Sequence, residues 1–373
     1  MDTRILKLDA NNPDLKDIKE AARAIDNGNL VAFPTETVYG IACRVGAEPL
    51  AKLDAIKERA AEKHYTLHIG PKLDVYKYVP NISPIGRQLV KKGWPGPLTI
   101  VFELSQADLA EQRSILDSYT IETLYKDNTI GIRCPDNVIA SLLLSYTEYP
   151  VVGPSANLAG QPPATDGAGA LAKLDGLVDL VLDGGPCKYG FGSTVVKIDA
   201  SGAHILRQGI YDQRDIDAMS AFNLLFVCTG NTCRSPMATG LFRKYLSQKL
   251  GCTVDQLEKI GYKIGSAGTM AAVGWPASPE AIEVCKAKGA DISGYRSTAL
   301  SARLIRQSDV VYAMCRQHRD YVLELCPDAA DKCFLLANNT EIPDPIGGSE
   351  KEYYYSAELI EKAIEKRIGE LIK

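Results

Sequence analysis

The first half of the chain alternates short apolar runs with longer amphipathic stretches. Three runs rich in apolar and β-branched residues predict strands, at 29–33, 98–103 and 192–198. Three longer segments predict helices, at 15–27, 48–60 and 168–175. Strands interspersed with helices predict an α/β unit with a twisted mixed sheet rather than an all-β barrel.

The second half alternates strands and helices more regularly. Strands are predicted at 223–227, 260–265, 309–314 and 333–336, and helices at 235–250, 279–288, 316–325 and 350–371. This order predicts a doubly wound parallel sheet with helices on both faces. A polar stretch at 211–215 precedes the first of these strands, so we expect two domains, 1–215 and 216–373.

Composition agrees with two globular domains. The 373 residues are 46% hydrophobic and 24% charged, and each half is long enough to bury a core. The net charge of −4 gives no general attraction to nucleic acid or anionic membranes, so any phosphate site must be local. No window approaches the ~18 apolar residues of a membrane span. We therefore expect a cytoplasmic protein without membrane association.

Cysteines and histidines do not form a metal-binding pattern. The ten cysteines are scattered without C-x-x-C pairs, which favours reduced thiols over a disulfide framework. His64 and His68 lie close together, but no third ligand stands nearby in sequence. We expect no protein-bound zinc.

A C-x5-R loop follows the first strand of the second half. Cys228 ends that predicted strand, and Arg234 stands where the next helix begins. Backbone N–H groups of such a loop can surround a tetrahedral anion, and a guanidinium adds two parallel donors. The same field is expected to lower the pKa of Cys228, which would attack phosphorus as a thiolate while Arg234 stabilises the transition state. Ser235 is placed to hydrogen-bond that thiolate.

A general acid is needed for the substrate's leaving group. Asp344 is the candidate, because it lies in the rigid turn Ile342–Pro345 after the last predicted strand. The alternative is an aspartate that only caps a turn.

The second half resembles the low-molecular-weight protein tyrosine phosphatase family over 223–373. The matching segments are the loop at 228–234, together with 266–269, 309–314 and 344–345. The resemblance implies that Cys228 is the nucleophile, Arg234 the phosphate binder, Asp344 the general acid and Asn231 a loop stabiliser, with no cofactor. It also implies a reversible protective disulfide between Cys233 and Cys228.

Within that family, the loop and the segment 344–349 are more similar to the bacterial protein-arginine phosphatases. Thr232 is the informative residue: its hydroxyl suits polar contact with a phosphoarginine guanidinium, whereas an apolar branched residue suits a phenyl ring. Simple packing of Thr232 in the loop remains an equal alternative. Tyrosines 353–355 either wall the pocket or form the apolar face of the last helix. The expected substrate is a protein carrying phosphotyrosine or phosphoarginine.

The first half places hydroxyls and cations at predicted strand ends. The segment Phe33–Gly40 follows a strand, and later clusters lie at 57–59, 94–99, 129–133, 154–157, 192–196 and 206–207. Such residues suit a cleft for a triphosphate and a carboxylate. Lys57 and Arg59 could equally be the solvated end of a helix. No P-loop or dinucleotide fingerprint is present, so nucleotide binding of those kinds is excluded.

In their order, these motifs resemble the YrdC-type threonylcarbamoyl-AMP synthases over about residues 10–212. The resemblance implies that L-threonine, bicarbonate and ATP form threonylcarbamoyl-AMP and pyrophosphate for threonylcarbamoyladenosine modification of tRNA, with Mg²⁺ on the triphosphate. The implied threonine ligands are Thr35, His68, Arg133, Gly153 and Ser193. The implied ATP ligands are Lys57, Arg59, Lys63, Thr129, Ser155, Asn157 and Arg207. Possible partners are tRNA and downstream tRNA-modification proteins.

Some positions depart from that family's pattern. Where that family has Lys-Gly-Arg-Pro, this chain has Glu58 and Ala60 in place of the glycine and the proline. In addition, Lys63 takes the place of a polar amide, and Pro163 replaces a serine. These changes lie beside the expected phosphates, yet the cations are retained, which favours an active enzyme. Two alternatives stay open: the first half is a non-catalytic nucleotide- or RNA-binding module, or the second half is a phosphate-sensing scaffold.

Overall fold

The computed structural model describes residues 2–58, 64–199, 202–338 and 340–371. The chain divides into two units, Met1–Ser220 and Ala221–Lys373. The boundary expected near residue 215 falls inside a helix, Gln213–Ser220, which belongs to the first unit.

The first unit is built on a ten-stranded sheet. Its strands are β1 (Arg4–Lys7), β2 (Val31–Phe33), β3 (Gly40–Arg44), β4 (Thr66–His68), β5 (Leu98–Glu103), β6 (Thr129–Arg133), β7 (Val151–Val152), β8 (Leu180–Asp183), β9 (Thr194–Asp199) and β10 (Gly202–Arg207). They lie in the order β1-β8-β2-β3-β7-β4-β6-β5-β9-β10. The sheet contains both parallel pairs such as β4–β6 and antiparallel pairs such as β5–β6, which confirms the mixed sheet.

Helices cover this sheet. They are α1 (Leu15–Asp26), α2 (Ala47–Lys57), α3 (Pro84–Gly93), α4 (Gln106–Ile115), α5 (Ser118–Leu124), α6 (Val138–Tyr146), α7 (Gly167–Leu174) and α8 (Gln213–Ser220). Asp14 begins α1 by accepting a hydrogen bond from Lys16 N, an N-cap that satisfies a free helical donor. Apolar faces of α1 and α6 pack together in one core cluster with Phe33 of β2.

The second unit has a four-stranded parallel sheet. Its strands are β11 (Phe222–Cys228), β12 (Tyr262–Gly268), β13 (Val310–Ala313) and β14 (Cys333–Leu335), in the order β12-β11-β13-β14. Its helices are α9 (Arg234–Leu250), α10 (Pro279–Ala287), α11 (Ala302–Gln307), α12 (Arg316–Leu325) and α13 (Glu350–Leu371). The parallel α/β fold is confirmed, and β11, which precedes the cysteine loop, is an interior strand between β12 and β13.

Within the part of the chain that is described, no helix combines the length and apolar character needed to cross a bilayer.

Candidate active sites

Three neighbouring strands of the first unit place polar side chains in one row. His68 on β4 is in register with Arg133 on β6, and Arg133 is in register with Thr99 on β5. Residues in register point to the same face of a sheet, so the row forms the floor of one cleft. The cleft measures about 520 Å³, which is the size of a small-molecule site.

Arg133 is held in this floor by a buried ion pair. Its Nη2 donates to Glu36 Oε1 at 2.9 Å and to Thr37 Oγ1 at 2.7 Å, while Thr35 Oγ1 lies 3.4 Å away. Arg133 Nε is buried and has no hydrogen-bond partner in the described structure. A buried guanidinium N–H without an acceptor is costly. Arg133 also lines the cleft, so its positive charge favours an anionic ligand there.

His68 is neutral in the cleft. Burial, followed by the charge of Arg133, lowers the pKa of His68 to about 3. Its Nδ1 lies 3.1 Å from the carbonyl oxygen of Thr66, which only accepts, so Nδ1 carries the proton and Nε2 is an acceptor. Gly153 packs on the ring: a Cβ there would lie 3.0 Å from His68 Cε1, so a side chain would crowd the imidazole.

Ser193 and Arg207 form the wall beyond the floor. Arg207 Nη2 donates to Ser193 O at 2.8 Å and to Ser193 Oγ at 3.1 Å. Ser193 Oγ also lies 2.9 Å from Thr99 Oγ1. Burial, and then the charge of Arg133, lowers the pKa of Arg207. Two guanidinium groups in one cleft favour an anionic ligand.

Lys57 lies at the end of α2 and also lines the cleft. Its ammonium donates to Ser155 O at 2.9 Å, Asn157 O at 2.8 Å and Asn157 Oδ1 at 3.0 Å. Ser155 Oγ donates to the same Asn157 oxygen at 2.6 Å. Lys57 therefore holds the Ser155–Asn157 turn in place, a role that differs from both sequence-based alternatives, a phosphate ligand and the solvated end of a helix.

Most of the implied ligands of the first unit line this one cleft: Thr35, Lys57, His68, Arg133, Gly153, Ser155, Ser193 and Arg207. Asn157 contacts the wall through Lys57 but is not among the lining residues. Thr129 does not line the cleft either. It begins β6, four residues from Arg133, and its hydroxyl donates to Lys126 O at 3.0 Å. Arg59 and Lys63 lie outside the described residues.

The loop of the second unit surrounds the Cys228 sulfur. Ser235 Oγ lies 2.9 Å from Cys228 Sγ, where the sequence predicted a hydrogen bond, and Asn231 N donates to the sulfur at 3.2 Å. Burial raises the pKa of Cys228, and the hydrogen bonds from Ser235 and the charge of Arg234 lower it by less. The expectation of a net lowered pKa is therefore wrong for this structure, because the sulfur is more deeply buried than sequence alone indicated.

Asn231 fixes the shape of this loop. Its backbone is left-handed, with φ of 56°, a conformation that asparagine tolerates better than most residues. Its Oδ1 accepts from Tyr295 OH at 2.6 Å and from Thr298 N at 2.7 Å, and its Nδ2 donates to Ser235 Oγ at 2.8 Å. Tyr295 and Thr298 come from a distant segment that no pattern in the sequence connected to the loop.

Arg234 begins α9 and turns toward the segment after β14. Its Nη1 donates to Ile342 O at 3.3 Å, and its Nη2 forms an ion pair with the Asp344 carboxylate. The same Nη2 donates to Thr229 Oγ1 at 3.2 Å. The proposed nucleophile, cation and acid thus meet at one loop, and His318 lies behind Thr229 as a residue that sequence reasoning missed.

Thr232 and Cys233 occupy the other side of the loop. Cys233 Sγ lies 3.4 Å from Tyr353 OH and 3.5 Å from Ser278 Oγ, and its thiol is free. Thr232 is half-buried, and its carbonyl accepts from Ser278 N at 2.9 Å. Tyr353 is buried in the core, whereas Tyr355 is 57% exposed, so the three tyrosines do not share one role.

The fold and the site geometry define the class of each unit. The first unit is a mixed-sheet α/β unit with a cationic cleft, and the second is a parallel α/β unit with a cysteine–arginine anion loop. The chain belongs to the Sua5–YciO–YrdC family, whose model, described as "Telomere recombination", matches residues 23–209, and to the low molecular weight phosphotyrosine protein phosphatase family, matched at 223–373.

Curated relatives match each unit separately. The threonylcarbamoyl-AMP synthase of Pyrococcus abyssi is 32% identical over 193 residues, 52% of this chain and 54% of the relative. The synthase of Bacillus subtilis is 28% identical over 214 residues, 57% of this chain and 58% of the relative. The chain therefore spans little more than half the length of these synthases.

For the second unit, the protein-arginine-phosphatase of Geobacillus stearothermophilus is 35% identical over 150 residues, 39% of this chain and 93% of the relative. Among solved structures, that of P. abyssi Sua5 complexed with L-threonine has a TM-score of 0.51 at 22% identity, covering 71% of this chain and 92% of that chain. This structural similarity concerns the fold.

Proposed function

We propose that the first unit forms threonylcarbamoyl-AMP from L-threonine, bicarbonate and ATP, for threonylcarbamoyladenosine modification of tRNA. The observation that carries the proposal is the cleft in which Arg133, Arg207 and Lys57 face a common volume beside hydroxyl groups. The names of the matched synthases support the same reaction.

On this proposal, Arg133 binds the carboxylate of threonine from the cleft that it lines, because Glu36 already fixes one side of the guanidinium. Neutral His68 accepts a hydrogen bond from the amino acid through Nε2, while Gly153 packs closely on the ring. Thr35 and Ser193 add hydroxyl contacts. Neutrality matters, since a protonated imidazole would place a second cation beside Arg133.

The nucleotide would bind in the part of the cleft lined by Arg207 and Ser155. Magnesium enters with ATP as part of the substrate, since phosphate oxygens are its preferred ligands. Arg207 offsets charge that develops at the phosphorus under attack, and Lys57 keeps the turn in position. Pyrophosphate leaves as the oxygen of the carbamate bonds to the α-phosphorus.

Mass spectrometry of threonylcarbamoyl-AMP in a mixture of full chain, ATP, L-threonine and bicarbonate tests this proposal. Product is expected from the wild-type protein and is lost in Arg133→Ala and Lys57→Ala. Tight ATP binding without product would instead favour a nucleotide- or RNA-binding module, and persistence of product in both variants would contradict the assigned cleft.

We propose that the second unit hydrolyses phosphoproteins through a phosphocysteine. The observation that carries this proposal is Cys228 Sγ enclosed by the loop, hydrogen-bonded by Ser235 Oγ at 2.9 Å and Asn231 N at 3.2 Å. Attack of the thiolate forms the S–P bond and breaks the bond from phosphorus to the substrate's leaving atom. Asp344 protonates that atom, and water then cleaves the S–P bond with Asp344 as base.

The finer substrate assignment is phosphoarginine rather than phosphotyrosine. The name of the protein-arginine-phosphatase relative supports it, and Thr232 at the loop offers the polar contact that a guanidinium leaving group needs. The ratio of kcat/KM for phosphoarginine and phosphotyrosine peptides tests the assignment, with Cys228→Ser as blank. A phosphoarginine preference that Thr232→Ile removes would support the phosphoarginine assignment. A phosphotyrosine preference would instead mean that Thr232 only packs in the loop.

Cys233 is proposed as the redox partner of Cys228. Oxidation by a peroxide would convert Cys228 to a sulfenic acid, and the Cys233 thiol would displace water to form the disulfide. Peroxide inactivation should then be reversed by a thiol reductant in the wild-type protein and become irreversible in Cys233→Ala. Equal recovery in both proteins would contradict the pairing.

A further inference from the structure

Thr229 connects the catalytic loop to a histidine outside it. The Thr229 hydroxyl lies 2.8 Å from His318 Nε2 and accepts from Arg234 Nη2 at 3.2 Å. The Thr229 backbone is also fixed, because its carbonyl accepts from Met270 N at 3.0 Å. A hydroxyl can serve both neighbours at once, since its oxygen accepts two hydrogen bonds in addition to donating one.

His318 is itself held rigidly. It lies in the first turn of α12, is 3% exposed, and its Nδ1 lies 3.2 Å from Cys315 Sγ. Burial and then the charge of Arg234 lower the pKa of His318 to about 4, against the carboxylates of Asp344 and Glu341. A neutral imidazole has one donor and one acceptor, so it can join a thiol on one side to a hydroxyl on the other.

Arg234 has partners on two sides. Ile342 and Asp344 bind the guanidinium from the segment after β14. Within the described residues, Thr229 gives the guanidinium its side-chain hydrogen bond to the loop itself. Without Thr229, the described hydrogen bonds to Ile342 and Asp344 would hold Arg234 toward the segment after β14 only. Small errors in the placement of a group that stabilises a transition state cost rate steeply.

We propose that His318 is a positioning residue of the phosphatase site, which holds the Thr229 hydroxyl against Arg234 and so directs the guanidinium toward the phosphoryl group. The inference rests on the proposed phosphatase function. Because His318 orients Arg234 for the transition state, its loss should affect kcat and the binding of transition-state analogues more than ground-state binding.

The test measures aryl phosphate hydrolysis and inhibition by orthovanadate, which adopts the five-coordinate geometry of the transition state. His318→Leu should lower kcat by roughly 5- to 30-fold and raise the Ki of orthovanadate by the same factor. This is the size of effect expected from the loss of one or two hydrogen bonds. The Ki of orthophosphate should change less. His318→Gln, whose amide reaches the place of Nε2, should restore most of the rate.

Gln317→Leu is the matched control, because Gln317 is an exposed residue of the same helical turn. Thr229→Val should reproduce the loss, and the double variant His318→Leu/Thr229→Val should lose no more than Thr229→Val alone. If His318→Leu fails to fold, Thr229→Val is measured instead, because valine has the same shape as threonine.

Unchanged kcat and orthovanadate Ki in the folded variants, or additive losses in the double variant, would overturn the inference. Lower thermal stability with normal orthovanadate inhibition would assign His318 a structural role only and would also overturn it. A wild-type protein that neither hydrolyses aryl phosphates nor binds orthovanadate would refute the proposed function instead, so the two failures are distinguishable.

Discussion

Arg234 and Asp344 form an ion pair across the mouth of the phosphatase loop. The arginine side chain is only 6% exposed, whereas the aspartate side chain is 39% exposed. The cation is therefore fixed, and the carboxylate is the partner that can leave. On the proposed mechanism, an incoming phosphoryl dianion takes over Arg234, and Asp344 is released toward the leaving group.

Asp344→Asn should change turnover and anion binding in opposite directions. Loss of the general acid should lower kcat by roughly 100-fold for phenyl phosphate and by less for p-nitrophenyl phosphate, whose leaving group needs no proton. Loss of the carboxylate should lower the Ki of orthophosphate, because Arg234 no longer has a competing anionic partner. Steady-state kinetics with both esters measure these effects.

Glu341→Gln is the control for this experiment, because Glu341 is a nearby exposed carboxylate that accepts from Arg316 N at 2.9 Å. It should leave both quantities near the wild-type values. Weaker orthophosphate binding in Asp344→Asn would show that the pair does not compete with the ligand.

Ser235→Ala should shift the pH profile of the phosphatase. The Ser235 hydrogen bonds lower the pKa of Cys228 against the effect of burial. Their removal raises that pKa, so the thiolate is lost at a higher pH and the acid limb of kcat/KM moves to higher pH. The profile is measured on an aryl phosphate, and an acid limb that stays in place or moves to lower pH would contradict the role of Ser235.

His68 should make the first unit less stable as the pH falls below neutrality. Its pKa is about 3 in the fold and about 6.5 when unfolded, so the unfolded chain binds the proton first. The unfolding free energy should then decrease by about 2 kcal/mol between pH 7 and pH 5 from this group. Urea unfolding in a Trp275→Phe background, in which buried Trp94 reports on the first unit, measures the slope.

His68→Gln is the comparison, since glutamine does not titrate in this range. It should flatten the pH dependence of the unfolding free energy in the same background. An unchanged slope would mean that His68 is not held neutral by the cleft.

Glu58→Gly should stabilise the first unit. Glu58 follows α2 with φ of 42°, in the left-handed region that favours glycine. Relief of that conformation is expected to add about 1 kcal/mol to the unfolding free energy. Ala55→Gly, at an exposed position inside α2, is the opposite control and should cost about 1 kcal/mol. Destabilisation by both substitutions, measured by urea unfolding, would contradict the assignment.

The second unit was largely predictable because its signals are local. The helix predicted over 316–325 is observed as Arg316–Leu325, and the cysteine loop lies between β11 and α9 as its spacing indicated. The six-residue helix α11 was missed because a single short turn carries little periodicity. His318 was missed because its link to Thr229 spans 89 positions.

The first unit was less predictable because its site depends on pairing between distant strands. The three-residue strand β4 and the two-residue strand β7 are too short to give a pattern, yet β4 places His68 in register with Arg133 and β7 pairs with β4 on its other side. The Glu36–Arg133 ion pair spans 97 positions. Sequence therefore indicated which residue types form the cleft, but not that Glu36 and Asn157 orient its cations.

The central claim is that one chain carries two separate chemistries, and a single preparation of Cys228→Ser tests it most directly. Threonine-dependent formation of threonylcarbamoyl-AMP and hydrolysis of an aryl phosphate are measured side by side with the wild-type chain. We predict that the variant keeps the first activity at the wild-type rate and loses the second. Absence of threonylcarbamoyl-AMP from both proteins, or phosphatase activity that survives in Cys228→Ser, would contradict the account.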